Sequence, residues 1–193
     1  MAVIQFVVAI FCIVLLPYVL DFYGAIAYFA AQTSDTTLLA VSNPQQADNE
    51  GDLPNASVEA VKAVSTFGKG NWKLLQQEGA TQAAVLEQLP QKNVAHFACH
   101  DFADLVTPLN SDLLMANDEI LSLQNLLNLK LQNLRFAILS ACETSILGTK
   151  LPDEVISFPT GLLQAGAAGV VSSSSIKPYE ALKMQHRHKK SKL

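Results

Sequence analysis

Short apolar runs recur along this chain and predict the strands of a sheet. Residues 93–99 and 135–141 form two continuous runs rich in Val, Ile, Leu, Phe and Ala. Runs of this length without polar alternation are typical of strands buried on both faces of a parallel sheet. A third run, 36–41, is stopped by Asn43-Pro44 and predicts another strand. Three buried strands therefore form the predicted centre of the fold.

Amphipathic segments with capping residues lie between these strands and predict helices. Ser57 is the predicted N-cap of a helix that ends near Phe67. Its predicted core-facing side contains Val58, Val61, Val64 and Phe67. Thr81 is the predicted N-cap of a second helix, which Pro90 terminates. Further strands are predicted at 73–76, 113–115 and 169–171, and further helices at 122–128 and around Pro159. The order of strands and helices predicts an α/β fold, with a mostly parallel sheet, right-handed crossovers and helices on both faces.

The first 31 residues contain much of the excess hydrophobicity of this chain, in which half of the residues are apolar. Residues 2–20 are almost wholly apolar and predict a helix, which would span about 28 Å and could just cross a bilayer core. Three interpretations stay open: a membrane anchor, a buried strand–helix pair of the fold, or a misassembled N-terminus. No Lys or Arg precedes the run, so it differs from a secretory signal.

The cysteine content favours a reducing compartment. Cys12, Cys99 and Cys142 are the three cysteines, an odd number that forms no even disulfide framework. We therefore expect a cytoplasmic protein, with membrane anchoring through residues 2–20 as the alternative. The sequence contains no zinc ligand pattern, phosphate-binding loop or dinucleotide motif, so no cofactor is expected.

The C-terminal segment, 172–193, has a different composition from the rest. Six of the 13 Lys and Arg residues lie from Lys177 onward, although the net charge of the chain is −4. A basic run of this kind is usually a solvated tail, and we expect no specific nucleic-acid partner. The predicted organisation is an apolar segment at 1–31, a globular domain at 36–171 and a basic tail at 172–193.

The candidate chemistry lies where two of the apolar runs end. His100 follows the first run and Cys142 the second, 42 residues later. The carboxyl ends of parallel strands meet at one edge of a sheet, where an imidazole can take the proton of a thiol and stabilise the thiolate. Because buried cysteines are usually inert, the spacing alone is weak evidence.

Other reactive side chains in the two runs are expected to play structural roles. His96 and Cys99 should face opposite sides of the sheet. Ser140 lacks the glycine-flanked turn of a serine nucleophile.

Several separated motifs strengthen the case for a cysteine nucleophile. The sequence HFACH at 96–100, followed by LSACET at 139–144, resembles the CHAT domain, a family of caspase-like cysteine peptidases related to separase. The segments 38–44 and 161–167, together with Gly148 and Asp153-Glu154, are similar to the same family, and the resemblance covers about residues 36–171. It implies a three-layer caspase-like fold and an enzyme that acts on a protein or peptide substrate. It further implies that His100 is the general base and Cys142 the nucleophile. Together with the order of strands and helices, it predicts that these two residues lie at the carboxyl ends of adjacent parallel strands.

Residues near the dyad add detail, and one of them departs from the family pattern. Asp101 stands where the family usually has the glycine whose N–H helps to bind the oxyanion, and a carboxylate there would repel that charge. We therefore expect weak or absent endopeptidase activity. Glu143 is expected at the rim of the site. Asp153 and Glu154 are either charges at a helix start, or one of them is the anion that selects a basic residue in the substrate.

The likeness ends after residue 171, where the family continues with a Ser-Leu-Trp strand end and a further helix. Here a run of four serines follows, from Ser172 to Ser175. This departure predicts a domain truncated at the C-terminal edge of its sheet, which a protein partner would complete. The alternative to a peptidase is therefore a non-catalytic interaction module derived from a CHAT domain, or a truncated gene fragment.

Overall fold

Eight strands form two sheets in the computed structural model, which describes residues 35–46, 52–102, 104, 107–140 and 157–172. In chain order the strands are β1 (Leu38–Pro44), β2 (Trp72–Gln77), β3 (Val94–Ala98), β4 (Asp101–Phe102), β5 (Asp112–Leu114), β6 (Ile120–Ser122), β7 (Phe136–Leu139) and β8 (Val170–Ser172). The larger sheet has the order β2-β1-β3-β7-β8, and every neighbouring pair is parallel. The smaller sheet, β4-β5-β6, is antiparallel.

Four α-helices accompany the strands in the described part of the chain. They are α1 (Pro54–Val64), α2 (Gln82–Gln88), α3 (Leu123–Leu127) and α4 (Phe158–Gln164). Buried residues of α2, α3 and α4 join one apolar core, on one face of the large sheet. Buried residues of α1 join a second core on the opposite face. The predicted α/β fold, with a mostly parallel sheet between helices, is confirmed.

Local capping signals identified three of these helices correctly. Thr81 accepts a hydrogen bond from the Ala84 N–H at the start of α2, and Ser122 forms a capping box at the start of α3. Pro159 lies in the first turn of α4, where its missing N–H costs no helical hydrogen bond. Gly166 follows α4 with φ +118°, a backbone conformation that an L side chain rarely adopts.

The buried face of α1 differs from the prediction. The helix begins at Pro54, with Leu53 as its N-cap, and Ser57 lies inside it. Val58 and Val61 are exposed to 68% and 54%, so their predicted burial was wrong. Val64, and Phe67 just after the helix, are buried as predicted, and the rest of the buried face is formed by Ala56, Ala60 and Ala63. Alanine is small, and a stripe of it lets a helix lie close to the strands that it covers.

The small antiparallel sheet was foreseen only in part. The sequence suggested a strand near Leu113, and β5 lies there, but β4 and β6 carry no comparable signal. Strands of two or three residues are too short to show the alternation from which a strand is recognised. This sheet nevertheless contacts the candidate site, because the Leu114 N–H donates to the carbonyl oxygen of His100 over 2.9 Å.

Neither terminal segment lies within the described residues. The predicted helix at 2–20 and the basic tail at 172–193, apart from Ser172, fall outside them, so the domain boundaries and the incomplete sheet edge stay predictions. Within the described ranges, no helix has both the length and the apolar character needed to cross a membrane.

Candidate functional site

His100 lies at the carboxyl edge of the large sheet, two residues after β3 ends at Ala98. From β1 the chain moves first to β2 on one side and then returns to β3 on the other, so the strand order reverses between β1 and β3. Ligand sites of open α/β sheets occupy the crevice at such a reversal, outside the carboxyl ends of the strands. The side chain of His100 is half-buried. The predicted general base therefore occupies the position that the topology favours for a site.

The strand that precedes Cys142 is the neighbour of β3. Val94 pairs with Phe136 and Phe97 with Leu139 in a regular parallel ladder. The last bond of this ladder reaches the residue after β7, because the Ser140 N–H donates to the carbonyl oxygen of Phe97 over 2.7 Å. Cys142 itself lies outside the described residues, as do Glu143, Asp153 and Glu154. Their predicted roles stay predictions.

Asp101 is a buried residue of β4, with 4% of its surface exposed. It lies opposite Leu113 in the antiparallel ladder, and the neighbouring Leu114 N–H bonds to His100. This bonding pattern makes Asp101 and Leu113 a non-hydrogen-bonded pair. The Asp101 N–H therefore points away from β5, and the Leu113 N–H points away from β4. Asp101 does not have a positive φ, so it adopts its backbone conformation without the strain that a left-handed position would impose. The carboxylate, rather than the backbone, is what distinguishes this residue from glycine.

Cys99, the residue before His100, is a buried free thiol in the core on the α2, α3 and α4 side. Burial raises the pKa of the Cys99 thiol well above its ordinary range, and the charge of Asp101 raises it further. A thiol with such a raised pKa is a poor nucleophile at neutral pH, because the thiolate is the reactive form. The expectation that Cys99 is buried and inert agrees with this environment.

A hydrogen-bonded group of three side chains lies on the opposite face, beneath α1. His96 is fully buried on β3, and its Nε2 lies 3.0 Å from Oε1 of Glu59 on α1. The other carboxylate oxygen of Glu59 accepts a hydrogen bond of 3.0 Å from the hydroxyl of Ser140. The predicted structural role of His96 is supported by its Nε2 contact, whereas its Nδ1 has no hydrogen-bond partner among the described residues.

Glu59 is the site-proximal residue that the sequence analysis missed. The error follows from the wrong helical face, because valines at 58 and 61 were taken as the buried positions. Glu59 lies three residues after Ala56 and four before Ala63, which both belong to the buried face. The spacing of the alanines in 56–63 is a sequence signal from which the orientation of Glu59 toward the sheet could have been predicted.

Two comparisons with known proteins extend the structural findings. A family model for the CHAT domain matches residues 11–176 of the 193-residue chain. No curated protein matches the sequence. The family is related to caspase-like peptidases, and a mostly parallel sheet with helices on both faces is consistent with a caspase-like fold. Because the match covers most of the chain, this protein belongs to the CHAT domain family.

Proposed function

We propose that this chain is a cysteine endopeptidase of the CHAT type, whose dyad is His100 and Cys142 and whose activity is reduced by Asp101. The β3–β7 register is the observation that carries the proposal. Paired residues in that ladder are 42 positions apart, as 136 − 94 shows for Val94 and Phe136. His100 and Cys142 have the same separation, 142 − 100. Extension of the ladder beyond Ser140 would therefore bring the imidazole and the thiol to neighbouring positions.

The proposed reaction begins with proton transfer from the Cys142 thiol to His100. The thiolate attacks the carbonyl carbon of a peptide bond, and His100 returns the proton to the leaving amine. Water then hydrolyses the acyl-enzyme. The backbone N–H groups of Cys142 and Asp101 are the proposed oxyanion donors, and the pairing of β4 directs the Asp101 N–H to the side of its strand away from β5.

Asp101 is the proposed cause of weak activity. Its N–H would donate to the oxyanion while its carboxylate, on the same residue, opposes the negative charge that develops there. A charge that cancels the effect of one oxyanion donor costs about as much as loss of that donor, on the order of 10²–10³ in rate. Because Asp101 has no positive φ, we assign this cost to the charge rather than to the backbone.

The test measures cleavage of peptides with a basic residue before the scissile bond. We expect slow cleavage by the unaltered chain, which Cys142→Ala and His100→Ala abolish. Asp101→Asn keeps the size of the side chain and removes its charge, whereas Asp101→Gly restores the residue that the family usually has. If the charge is responsible, both variants raise kcat/KM by at least ~10-fold and to a similar extent. Recovery with glycine alone would assign the defect to the backbone instead.

Alkylation of the thiols provides a second readout that needs no substrate. We expect iodoacetamide to modify Cys142 at neutral pH faster than a free cysteine, because His100 favours its thiolate. Cys99 is an internal control in the same chain, since burial holds it in the unreactive thiol form. A Cys142 that reacts at the ordinary rate, together with no cleavage by any Asp101 variant, would contradict the peptidase proposal. The non-catalytic module would then be the better description.

Asp153 and Glu154 are the proposed selectors of the basic residue in the substrate. Asp153→Asn and Glu154→Gln each remove one charge with little change in size, which makes them matched variants. The selecting residue is the one whose neutral variant lowers the preference for Arg over Gln at the cleavage site while cleavage after Gln is unchanged. Equal preference ratios in both variants and in the unaltered chain would leave both residues as helix-start charges.

A further inference from the structure

One carboxylate ties together the two strands that lead to the proposed dyad. Oε1 of Glu59 contacts His96 on β3, and Oε2 contacts Ser140, the first residue after β7. Both contacts measure 3.0 Å. Each carboxylate oxygen therefore contacts a different segment, and α1, which packs over β1, β2 and β3, reaches the end of β7 through the Glu59 side chain.

The surroundings of Glu59 make these contacts strong. The His96 side chain is fully buried, and 23% of the Glu59 side chain is exposed. Hydrogen bonds to a carboxylate are about twice as strong as those between neutral groups, and low exposure reduces their screening by water. Ala56, Ala60 and Ala63 hold α1 close to the sheet, so the carboxylate has little freedom to withdraw.

Ser140 is held at two points, although it lies beyond the end of its strand. Its N–H donates to Phe97 over 2.7 Å, and its hydroxyl donates to Glu59. Two residues later the chain reaches Cys142. A displacement of about 1 Å in a reacting group can cost ~10² in rate, so the restraint on Ser140 acts where small shifts matter most.

We infer that Glu59 is a positioning residue, which fixes the chain at Ser140, two residues before the proposed nucleophile of the dyad. This inference rests on the proposed function, since it assigns Glu59 a role in the same reaction. Glu59 touches neither substrate nor the reacting atoms. It acts through Ser140 on one strand and is itself anchored by His96 on the other.

The experiment compares four variants of the full chain. Glu59→Ala removes both contacts, and Ser140→Ala removes only the contact to the chain after β7. Glu59→Gln keeps two hydrogen-bonding atoms, and the Ser140 hydroxyl can rotate to accept as well as donate. Val58→Ala is the matched control, because it alters the preceding residue of α1 at a position that is 68% exposed.

Three measurements are made on each variant: the alkylation rate of Cys142, the separate values of kcat and KM, and amide hydrogen exchange across residues 136–142. We expect Glu59→Ala and Ser140→Ala to slow alkylation and lower kcat by about 10- to 100-fold with KM nearly unchanged. Exchange should accelerate by at least ~10-fold over the same residues. Glu59→Gln should stay within about 3-fold of the unaltered chain, and Val58→Ala should equal it.

The outcomes separate this inference from the proposed function. Unchanged exchange and unchanged alkylation in both Glu59→Ala and Ser140→Ala overturn the inference while the dyad stands. Faster exchange with unchanged alkylation and kcat also overturns it, because Glu59 would then support only the fold. An unaltered chain that neither cleaves peptides nor alkylates quickly at Cys142 refutes the proposed function, and the positioning role is refuted with it. Faster hydrogen exchange in Glu59→Ala and Ser140→Ala would then show only that Glu59 stabilises the fold through His96 and Ser140.

Discussion

The contact between α3 and α4 gives the sharpest test of packing near the site. Gly161 lies on the buried side of α4 and faces Leu123, the first residue of α3. A Cβ built at Gly161 would lie 2.9 Å from Cγ and 3.1 Å from Cδ2 of Leu123, with Cδ1 closer still. Carbon atoms pack best about 3.5–4.0 Å apart. Because Leu123 is fully buried, any shift of its side chain would have to be accommodated within the core.

Two opposing terms determine the effect of Gly161→Ala. Overpacking of a filled core costs about 1–3 kcal/mol, whereas alanine in place of glycine favours a helix by about 1 kcal/mol. We therefore expect the free energy of unfolding to fall by up to about 2 kcal/mol. In a Leu123→Ala background the overlap disappears and only the helix term remains. The same Gly161→Ala change should then stabilise the protein by about 1 kcal/mol.

Urea denaturation of the four proteins in this double-mutant cycle measures the coupling between the two positions. We expect a coupling energy of about 1–3 kcal/mol and a change of sign in the effect of Gly161→Ala. Gln164→Gly compared with Gln164→Ala measures the helix term at an exposed position of the same helix. Effects of Gly161→Ala that agree within about 0.5 kcal/mol in the two backgrounds would refute the steric argument.

Three further predictions concern stability measured by urea unfolding. Because the pKa of Cys99 is raised in the folded protein, its contribution to the free energy of unfolding is fully present below the ordinary thiol pKa of about 8.5. It falls as pH rises above that value, by at most ~1.4 kcal/mol per pH unit. Cys99→Ala should remove this part of the pH dependence, and an unchanged dependence of unfolding free energy on pH would contradict the prediction. Thr81→Ala should cost about 1 kcal/mol, and Thr81→Ser much less, because serine keeps the capping oxygen. Gly166→Ala should lower the free energy of unfolding by at least ~1 kcal/mol, because φ is +118° and the new Cβ would lie 3.2 Å from the Leu131 carbonyl. An unchanged free energy of unfolding would show that the turn can rearrange.

The local elements around the site could be predicted from the sequence. The caps of α2 and α3 and the proline in the first turn of α4 were predicted because each depends on contacts within about four residues. The strands β3 and β7 were predicted because strands buried on both faces must be apolar throughout. The position of His100 at the end of β3 followed from the same pattern.

The way in which these elements meet depends on contacts between residues far apart in the chain. The offset of 42 residues between the partners of β3 and β7 depends on pairing that no local pattern encodes, although the family resemblance and the order of elements predicted that the two strands are adjacent. The small sheet around Asp101 has strands too short for periodicity to reveal. The inward face of α1 was misassigned because valine is more apolar than alanine, whereas close packing on the sheet favours the smaller side chain. The contacts of Glu59 with His96 and Ser140 depend on all of these arrangements, since they join residues 37 and 81 positions apart in the chain.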